Sequence, residues 1–81
     1  MHYVYIIACN DGTLYTGWTT DVAARVIAHN EGTGAKYTKG RGPVTLLYTE
    51  TFENKSDALR REMTIKKLTR TEKLKLAESK G

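Results

Sequence analysis

The chain has 81 residues, a formal net charge of +4 and a hydrophobic content of 40%. This length suits one small domain, and the composition is globular, neither disordered nor fibrous. No apolar run approaches the roughly 20 residues needed to cross a bilayer, and the N-terminus lacks a signal-peptide pattern. The single cysteine, Cys9, excludes an internal disulfide. We therefore expect one cytoplasmic domain spanning residues 1–81.

The positive charge is concentrated in the second part of the chain. Residues 1–54 have a net charge of −1, whereas residues 55–81 have a net charge of +5. A basic segment suits a polyanionic partner, most simply nucleic acid. An equally good interpretation is a solvated helical surface, where Lys and Arg are common.

The first part of the chain predicts a β-hairpin. Residues His2–Cys9 and Thr13–Thr19 are rich in β-branched and aromatic side chains, which is typical of strands. Between them lies the sequence Asn10-Asp11-Gly12, and Asp-Gly is a strong signal for a tight turn.

The middle of the chain predicts a helix, a loop and a third strand. Thr20 or Asp21 provides an N-cap, and the helix ends near Glu31, where Gly32 follows. Residues 32–42 show no periodicity and predict a loop. Residues Val44–Phe52 again have the composition of a strand.

The last part predicts two helices. Ser56 is a candidate N-cap for a helix through Leu68, and the three-residue spacing of Thr69 and Glu72 predicts a capping box for a third, short helix. The order is ββαβαα. We expect an α+β fold, with a small three-stranded antiparallel sheet flanked by helices.

Glu62 is out of place in the apolar stripe of the second predicted helix. At about 100° per residue it falls between Leu59 and Ile65, in the stripe that also contains Ala58. A carboxylate there needs a cation, a metal or water. The alternative is a Glu at the rim of the helix, paired with Lys66 one turn later.

The other candidate functional residues lie on the first helix and on the hairpin. Arg25 and His29 are one helical turn apart, and they offer phosphate-binding donors and a proton acceptor. Tyr5 lies on one strand, and Tyr15 lies across the hairpin from it. Aromatic pairs across a hairpin usually only pack, and packing is the favoured interpretation of the tyrosines alone. The pair on the helix is weak evidence by itself. Together with a carboxylate, however, the set suits phosphodiester hydrolysis.

The spacing of these residues resembles the GIY-YIG nuclease superfamily. The resemblance rests on Tyr3-Val4-Tyr5, Tyr15-Thr16-Gly17, the pair on the first helix, and the Ala-Leu-Arg-Arg-Glu run that ends at Glu62. It covers nearly the whole chain. Residues 33–38 (Thr-Gly-Ala-Lys-Tyr-Thr) and 65–68 (Ile-Lys-Lys-Leu) are similar to the small stand-alone bacterial members of the UPF0213 group.

The resemblance implies a role for each matching position. It implies that Tyr5 is the general base, with Tyr15 and His29 in support. It implies that Arg25 stabilises the transition state and that Glu62 binds one divalent metal ion, Mg²⁺ or Mn²⁺. The first motif departs from the family pattern at Tyr3, which replaces Gly, and at Val4, which replaces Ile. The second motif departs from it at Thr16, which replaces Ile.

We expect substrate binding by the domain surface, by loop 32–42 or through a separate partner protein, since so short a chain lacks the extra modules of many family nucleases. The candidate nucleic-acid-binding residues are basic and lie in the loop and the helices; they are Lys36, Lys39, Arg41, Arg60, Arg61, Lys66, Lys67 and Arg70.

The favoured function is a monomeric, metal-dependent endonuclease acting on DNA. RNA remains an open substrate class. The main alternative is a non-catalytic nucleic-acid-binding domain that retains the scaffold, and a third is a protein–protein interaction module. The predicted metal-binding carboxylate favours the first, since a pure binding domain does not require it.

Overall fold

The computed structural model of the protein describes residues 1–32 and 43–79. Within these residues the element order is ββαβαα, as predicted. The elements are β1 (His2–Ala8), β2 (Leu14–Thr19), α1 (Val22–Asn30), β3 (Thr45–Phe52), α2 (Lys55–Lys66) and α3 (Arg70–Ser79). None of the helices among the described residues has the length and apolar character of a membrane span.

The sheet confirms the predicted three antiparallel strands, in the spatial order β2-β1-β3. The predicted turn joins β1 to β2, and Gly12 adopts a φ of 84°, a left-handed conformation that favours glycine. The central strand, β1, pairs with both neighbours, so Tyr5 lies opposite Gly17 on one side and Thr49 on the other. Residues of β1 are therefore the best shielded from solvent.

The two faces of the sheet carry different cores, because side chains alternate along a strand. On one face Val4 and Ile6 pack with Ala58 and Ile65 of α2, and all four are fully buried. On the other face the buried cluster contains Tyr5 and Ile7, against which Val26 of α1 packs. Helices α1 and α2 therefore lie on opposite sides of β1.

Helix α1 begins and ends at the predicted residues. Asp21 is the N-cap, and its side chain accepts a hydrogen bond of 3.1 Å from the backbone N–H of Ala24. Gly32 follows the helix with a φ of 81°, and its N–H donates to the carbonyl of His29. Asn30, the last residue of the helix, accepts a hydrogen bond of 2.6 Å from the backbone N–H of Val44, which directly precedes β3.

Helix α2 begins earlier than the sequence predicted. Asn54, and not Ser56, is the N-cap; its side chain accepts a hydrogen bond of 3.0 Å from the N–H of Asp57. Asn and Ser both cap helices well. Asn54 is the cap because β3 already ends at Phe52, so the chain can begin a helix two residues later. The helix ends at Lys66 and not at Leu68.

Helix α3 begins with the predicted capping box. The backbone N–H of Thr69 donates to Glu72 at 2.9 Å, and the N–H of Glu72 donates to the Thr69 hydroxyl at 3.2 Å. In the next residue, Arg70 donates a hydrogen bond to the carbonyl of Gly12. The start of α3 is therefore joined to the tip of the β1–β2 hairpin.

Replacing the corrected N-cap tests the start of α2. Asn54→Ala removes the acceptor for the Asp57 N–H and should lower the free energy of unfolding by about 1 kcal/mol. Ser56→Ala is the matched control and should leave stability nearly unchanged. Chemical denaturation of both variants measures the difference, and a larger loss in Ser56→Ala would restore the original prediction.

Candidate active site

Tyr5 lies at the centre of the predicted site, on the central strand and 1% exposed. Its ring covers the backbone of Gly17 on β2. A Cβ atom at Gly17 would lie 2.5 Å from the Tyr5 hydroxyl oxygen and 2.8 Å from Cζ, closer than real Cβ atoms approach other atoms. Glycine is therefore required at position 17 because the phenol needs the space.

His29 of α1 contacts the Tyr5 phenol from the helix side of the sheet. The Tyr5 hydroxyl and His29 Nε2 are 2.9 Å apart, and His29 is 1% exposed. Burial, assisted by the positive charge of Arg25, lowers the pKa of His29 below its usual 6.5. The imidazole is therefore neutral at pH 7 and able to accept a proton.

Arg25 lies one turn before His29 and also points at the phenol. Its Nε donates to the Tyr5 hydroxyl oxygen over 3.4 Å. Burial raises the pKa of Tyr5 above 10, and the charge and hydrogen bond of Arg25 oppose this rise without cancelling it. Tyr5 therefore keeps its proton at neutral pH, and Arg25 alone does not make it a phenolate.

Tyr15 completes an aromatic cluster with Tyr5 and His29. The centre of its ring lies 6.4 Å from that of Tyr5 and 5.3 Å from that of His29, within the usual range for packed aromatic rings. Its proximity to Tyr5 agrees with the prediction that the two tyrosines share one side of the hairpin.

Glu62 approaches the same cluster from α2. Its side chain is 13% exposed, and its charge is near enough to contribute to the raised pKa of Tyr5. Its carboxylate also lies 3.5 Å from the Lys66 ammonium, so the predicted rim pair is present as well. Glu62 therefore acts on the phenol through its charge, while its direct partner is Lys66.

Two departures from the family motifs, Tyr3 and Thr16, have side chains that are not part of this cluster. Tyr3 is half-buried at the start of β1 and lines a cavity with Asp21 and Val22 at the beginning of α1. Thr16 is buried beside Ile6, its pairing partner. The bulk of Tyr3 is thus placed against the opposite end of α1 from His29.

Three of the predicted nucleic-acid-binding residues, Lys36, Lys39 and Arg41, lie outside the described residues. Three of the others form ion pairs within the protein: Lys66 with Glu62, as described above, and also Arg60 and Arg61. Arg60 contacts Asp57 at 2.6 Å on the surface of α2, with 76% of its side chain exposed. Arg61 instead donates two hydrogen bonds of 2.9 Å to Glu50 of β3.

The remaining predicted residues lie at the junction of α2 and α3. Lys67 is exposed and forms the C-cap of α2. Lys66 and Lys73 line one cleft with residues of β2, and Arg70 and Lys73 line a neighbouring cavity at the hairpin turn. Lys66, Arg70 and Lys73 therefore form a basic edge along the beginning of β2.

The sequence analysis did not identify Glu50, the carboxylate that pairs with Arg61. Glu50 also accepts a hydrogen bond from Tyr48, two residues before it on the same face of β3. These contacts lower the pKa of Glu50 against the opposing effect of burial. A charged residue in the middle of a β-branched strand was the available signal, because a half-buried carboxylate needs a cation.

Replacing Gly17 tests the close approach to Tyr5. Gly17→Ala should destabilise the fold by about 1–3 kcal/mol, because the added methyl group must displace the ring. In a Tyr5→Val background the same change should cost much less. A double-mutant cycle by denaturation measures this coupling, and equal losses in both backgrounds would contradict the contact.

The buried imidazole predicts a pH dependence of stability. The native pKa of His29 is lowered, so between this value and about 6.5 the unfolded chain binds the extra proton. The free energy of unfolding should therefore fall as the pH decreases from 7 to 5. Glu50 and Glu72, whose pKa values are lowered from 4.5, act at lower pH.

His29→Gln should flatten this slope, whereas His2→Gln, the matched control, should retain it. Denaturation curves at several pH values measure both. If the slope disappears in His2→Gln and persists in His29→Gln, the pH dependence comes from His2, which would contradict the prediction.

Comparison with known proteins gives the family of this arrangement. Residues 1–75 match the family model of the GIY-YIG catalytic domain. A UPF0213 protein of Clostridium perfringens is 61% identical over 81 residues, covering 100% of this chain and 87% of the relative. A UPF0213 protein of Halobacterium salinarum is 63% identical over 73 residues, covering 90% of this chain and 95% of the relative.

A solved structure agrees with the fold. The solution NMR structure of a UPF0213 protein from Bacillus halodurans has a TM-score of 0.64 and 51% identity, and the match covers 99% of this chain and 85% of that chain. The motif match, the sequence identity and the shared fold together show that this chain belongs to the GIY-YIG family, among its UPF0213 members.

Proposed function

We propose that this protein is a metal-dependent endonuclease that hydrolyses phosphodiester bonds of DNA. The carrying observation is the buried hydrogen bond of 2.9 Å between the Tyr5 hydroxyl and His29 Nε2, with Arg25 Nε 3.4 Å from the same hydroxyl. Glu62 acts on Tyr5 electrostatically from α2. A phenol, a neutral imidazole, a guanidinium and a carboxylate supply a proton path and charge stabilisation at one point. Membership of a nuclease family supports the same reaction.

The raised pKa of Tyr5 favours a proton relay over a standing phenolate. In this relay the attacking water gives a proton to the Tyr5 oxygen, while the original Tyr5 proton passes to His29 Nε2. Tyr5 stays neutral, and His29 becomes the imidazolium. The low pKa of His29 matches this step, because the imidazole is unprotonated before the reaction.

The relay requires a small movement around the phenol. Tyr5 is 1% exposed, so a reacting water reaches its oxygen only when a neighbouring side chain shifts. Arg25 has a reason to move, since its bond to the phenol is long at 3.4 Å and its guanidinium binds phosphate in a forked geometry. Contact with the substrate would place its charge where negative charge develops on phosphorus.

The residues present fit a single divalent metal ion. Glu62 would be its protein ligand, and among the described residues no group of three or more His, Cys, Asp or Glu side chains is placed to add further ligands. Mg²⁺ accepts this arrangement, because it is often bound by one or two carboxylates, waters and substrate phosphate. When bound, such an ion supplies charge stabilisation to the phosphate.

Cleavage assays with matched tyrosine variants test the proposal. Tyr5→Phe keeps the ring over Gly17 but loses the proton-accepting oxygen, and it should lower the cleavage rate by about 100-fold or more. Tyr3→Phe, on the same strand and face, is the control and should cleave normally. Labelled DNA and RNA structures with Mg²⁺ or Mn²⁺ form the substrate panel.

Two further variants separate the other roles. Glu62→Gln should abolish the response to added metal while nucleic-acid binding persists, and Tyr15→Phe should lose less activity than Tyr5→Phe. Cleavage that is unaffected by EDTA would contradict the metal site. Binding without cleavage of any substrate by the wild-type protein would support the non-catalytic alternative.

A further inference from the structure

Two lysines of different helices converge on a cleft that the proposed reaction does not use. The cleft has a volume of about 270 Å³ and lies at the outer edge of β2. Lys66, at the end of α2, and Lys73, on α3, line it together with residues 14–16 of the strand. The turn between the two helices brings these ammonium groups to the same strand.

The two lysines line the same cleft, and among the described residues Glu62 is the carboxylate that pairs with either of them. Lys66 shares Glu62 at 3.5 Å, but no carboxylate among the described residues lies within ion-pair distance of Lys73. Lys73 is also half-buried. Burial and the charge of Lys66 lower the pKa of Lys73, as expected for a half-buried ammonium group near another cation.

The wall of the cleft also contains a buried polar group, the hydroxyl of Thr16, that could bind a ligand oxygen. Thr16 lines the cleft and is 3% exposed, and its hydroxyl has no hydrogen-bond partner among the described residues. A buried hydroxyl without a partner costs free energy. A small shift of a flexible lysine side chain would let this hydroxyl donate to an oxygen atom bound between the ammonium groups.

We propose that Lys66 and Lys73 bind a backbone phosphate of the nucleic acid next to the phosphate that is cleaved. This inference rests on the proposed function for the identity of the ligand. Tyr15 supports the placement, because it lines the cleft and also packs against His29 with a ring distance of 5.3 Å. One strand that follows the β2 edge can therefore occupy both sites.

This phosphate site explains how a small domain selects a polynucleotide. Arg70 and Lys73 line the adjoining cavity of about 400 Å³ at the hairpin turn together with Asp11, and the two cations extend the basic edge away from Tyr15. A substrate with a phosphate beyond the cleaved bond gains contacts along this edge. A lone phosphodiester does not, and it should bind weakly.

Binding of a short fluorescent DNA duplex in EDTA tests the site without requiring cleavage. Lys73→Gln should weaken binding by roughly tenfold, as expected for a charged hydrogen bond, and should reduce the log–log salt slope by about 0.9. Lys75→Gln removes the same charge from an exposed position of α3 and is the matched control. Its effect on affinity should be several-fold smaller.

Inorganic phosphate tests the cleft without nucleic acid. At constant ionic strength, phosphate should shift the NMR amide signals of residues 14–16 in the wild-type protein and in Lys75→Gln, but not in Lys73→Gln. Thr16→Val should retain the fold and weaken phosphate binding. Thermal unfolding checks both variants, and Lys73→Gln should be at least as stable because it removes a repulsion.

The outcomes separate this inference from the proposed nuclease activity. Equal losses in Lys73→Gln and Lys75→Gln, with no shifts at residues 14–16, would show only general charge attraction and overturn the phosphate site, even if the protein cleaves DNA. Phosphate shifts without preferential loss of duplex binding would identify a free-anion site and overturn the nucleic-acid assignment. If Lys73→Gln loses more duplex binding than Lys75→Gln but the wild-type protein cleaves no substrate, the phosphate site is retained and the proposed nuclease activity is contradicted.

Discussion

The phenol of Tyr5 lying over the backbone of Gly17 is the contact on which the active-site geometry depends. It is possible only because β1 is the central strand and pairs Tyr5 directly with a residue that has no side chain. From this position the hydroxyl points to α1 and meets His29 at 2.9 Å. The sheet register, and not a flexible loop, therefore sets the hydrogen bond between Tyr5 and His29. This rigid placement suits catalysis, since small displacements of a reacting group reduce rates strongly.

Helix α2 packs on the opposite face of the sheet from Tyr5, but its Glu62 still influences Tyr5 through its charge. Consecutive residues on a helix point about 100° apart, and α2 uses this difference at Arg61 and Glu62. Arg61 donates two hydrogen bonds to Glu50 on edge strand β3, whereas Glu62 acts electrostatically on Tyr5. Between them, Ala58 and Ile65 are buried on the sheet. The ion pair with Glu50 therefore helps to fix the rotation of the helix that presents Glu62.

The sequence predicted the element order because that order depends on local patterns. The residue roles came from the family resemblance, and the structure places Tyr5, Tyr15 and His29 together with Arg25 beside the phenol. The capping box of Thr69 and the N-cap at Asp21 are read within four residues, and the alternation of β1 determines which side chains share its face. The N-cap of α2 was wrong because Asn54 and Ser56 have similar propensities, and the end of β3 decides between them.

Long-range pairing was beyond the sequence for a different reason. Arg61 was predicted to contact phosphate, because basic residues on a helix look alike until their partners are known. The partner, Glu50, is eleven positions earlier on another element. Glu50 can neutralise Arg61 only because the strand register places it beneath α2. Composition can therefore count the charges of a basic segment, but only the fold shows which ones are already neutralised.

The distribution of charge links stability to the proposed activity. Burying Tyr5 and His29 together keeps both neutral, so the core tolerates them with one hydrogen bond between them. The cationic residues around the edge of β2 are different: Lys66 has one carboxylate to share, and Lys73 is half-buried beside it. Such an arrangement weakens the free fold slightly and becomes favourable when an anion enters. In the proposed phosphate site, the same charges that repel each other in the free protein would bind a polyanion.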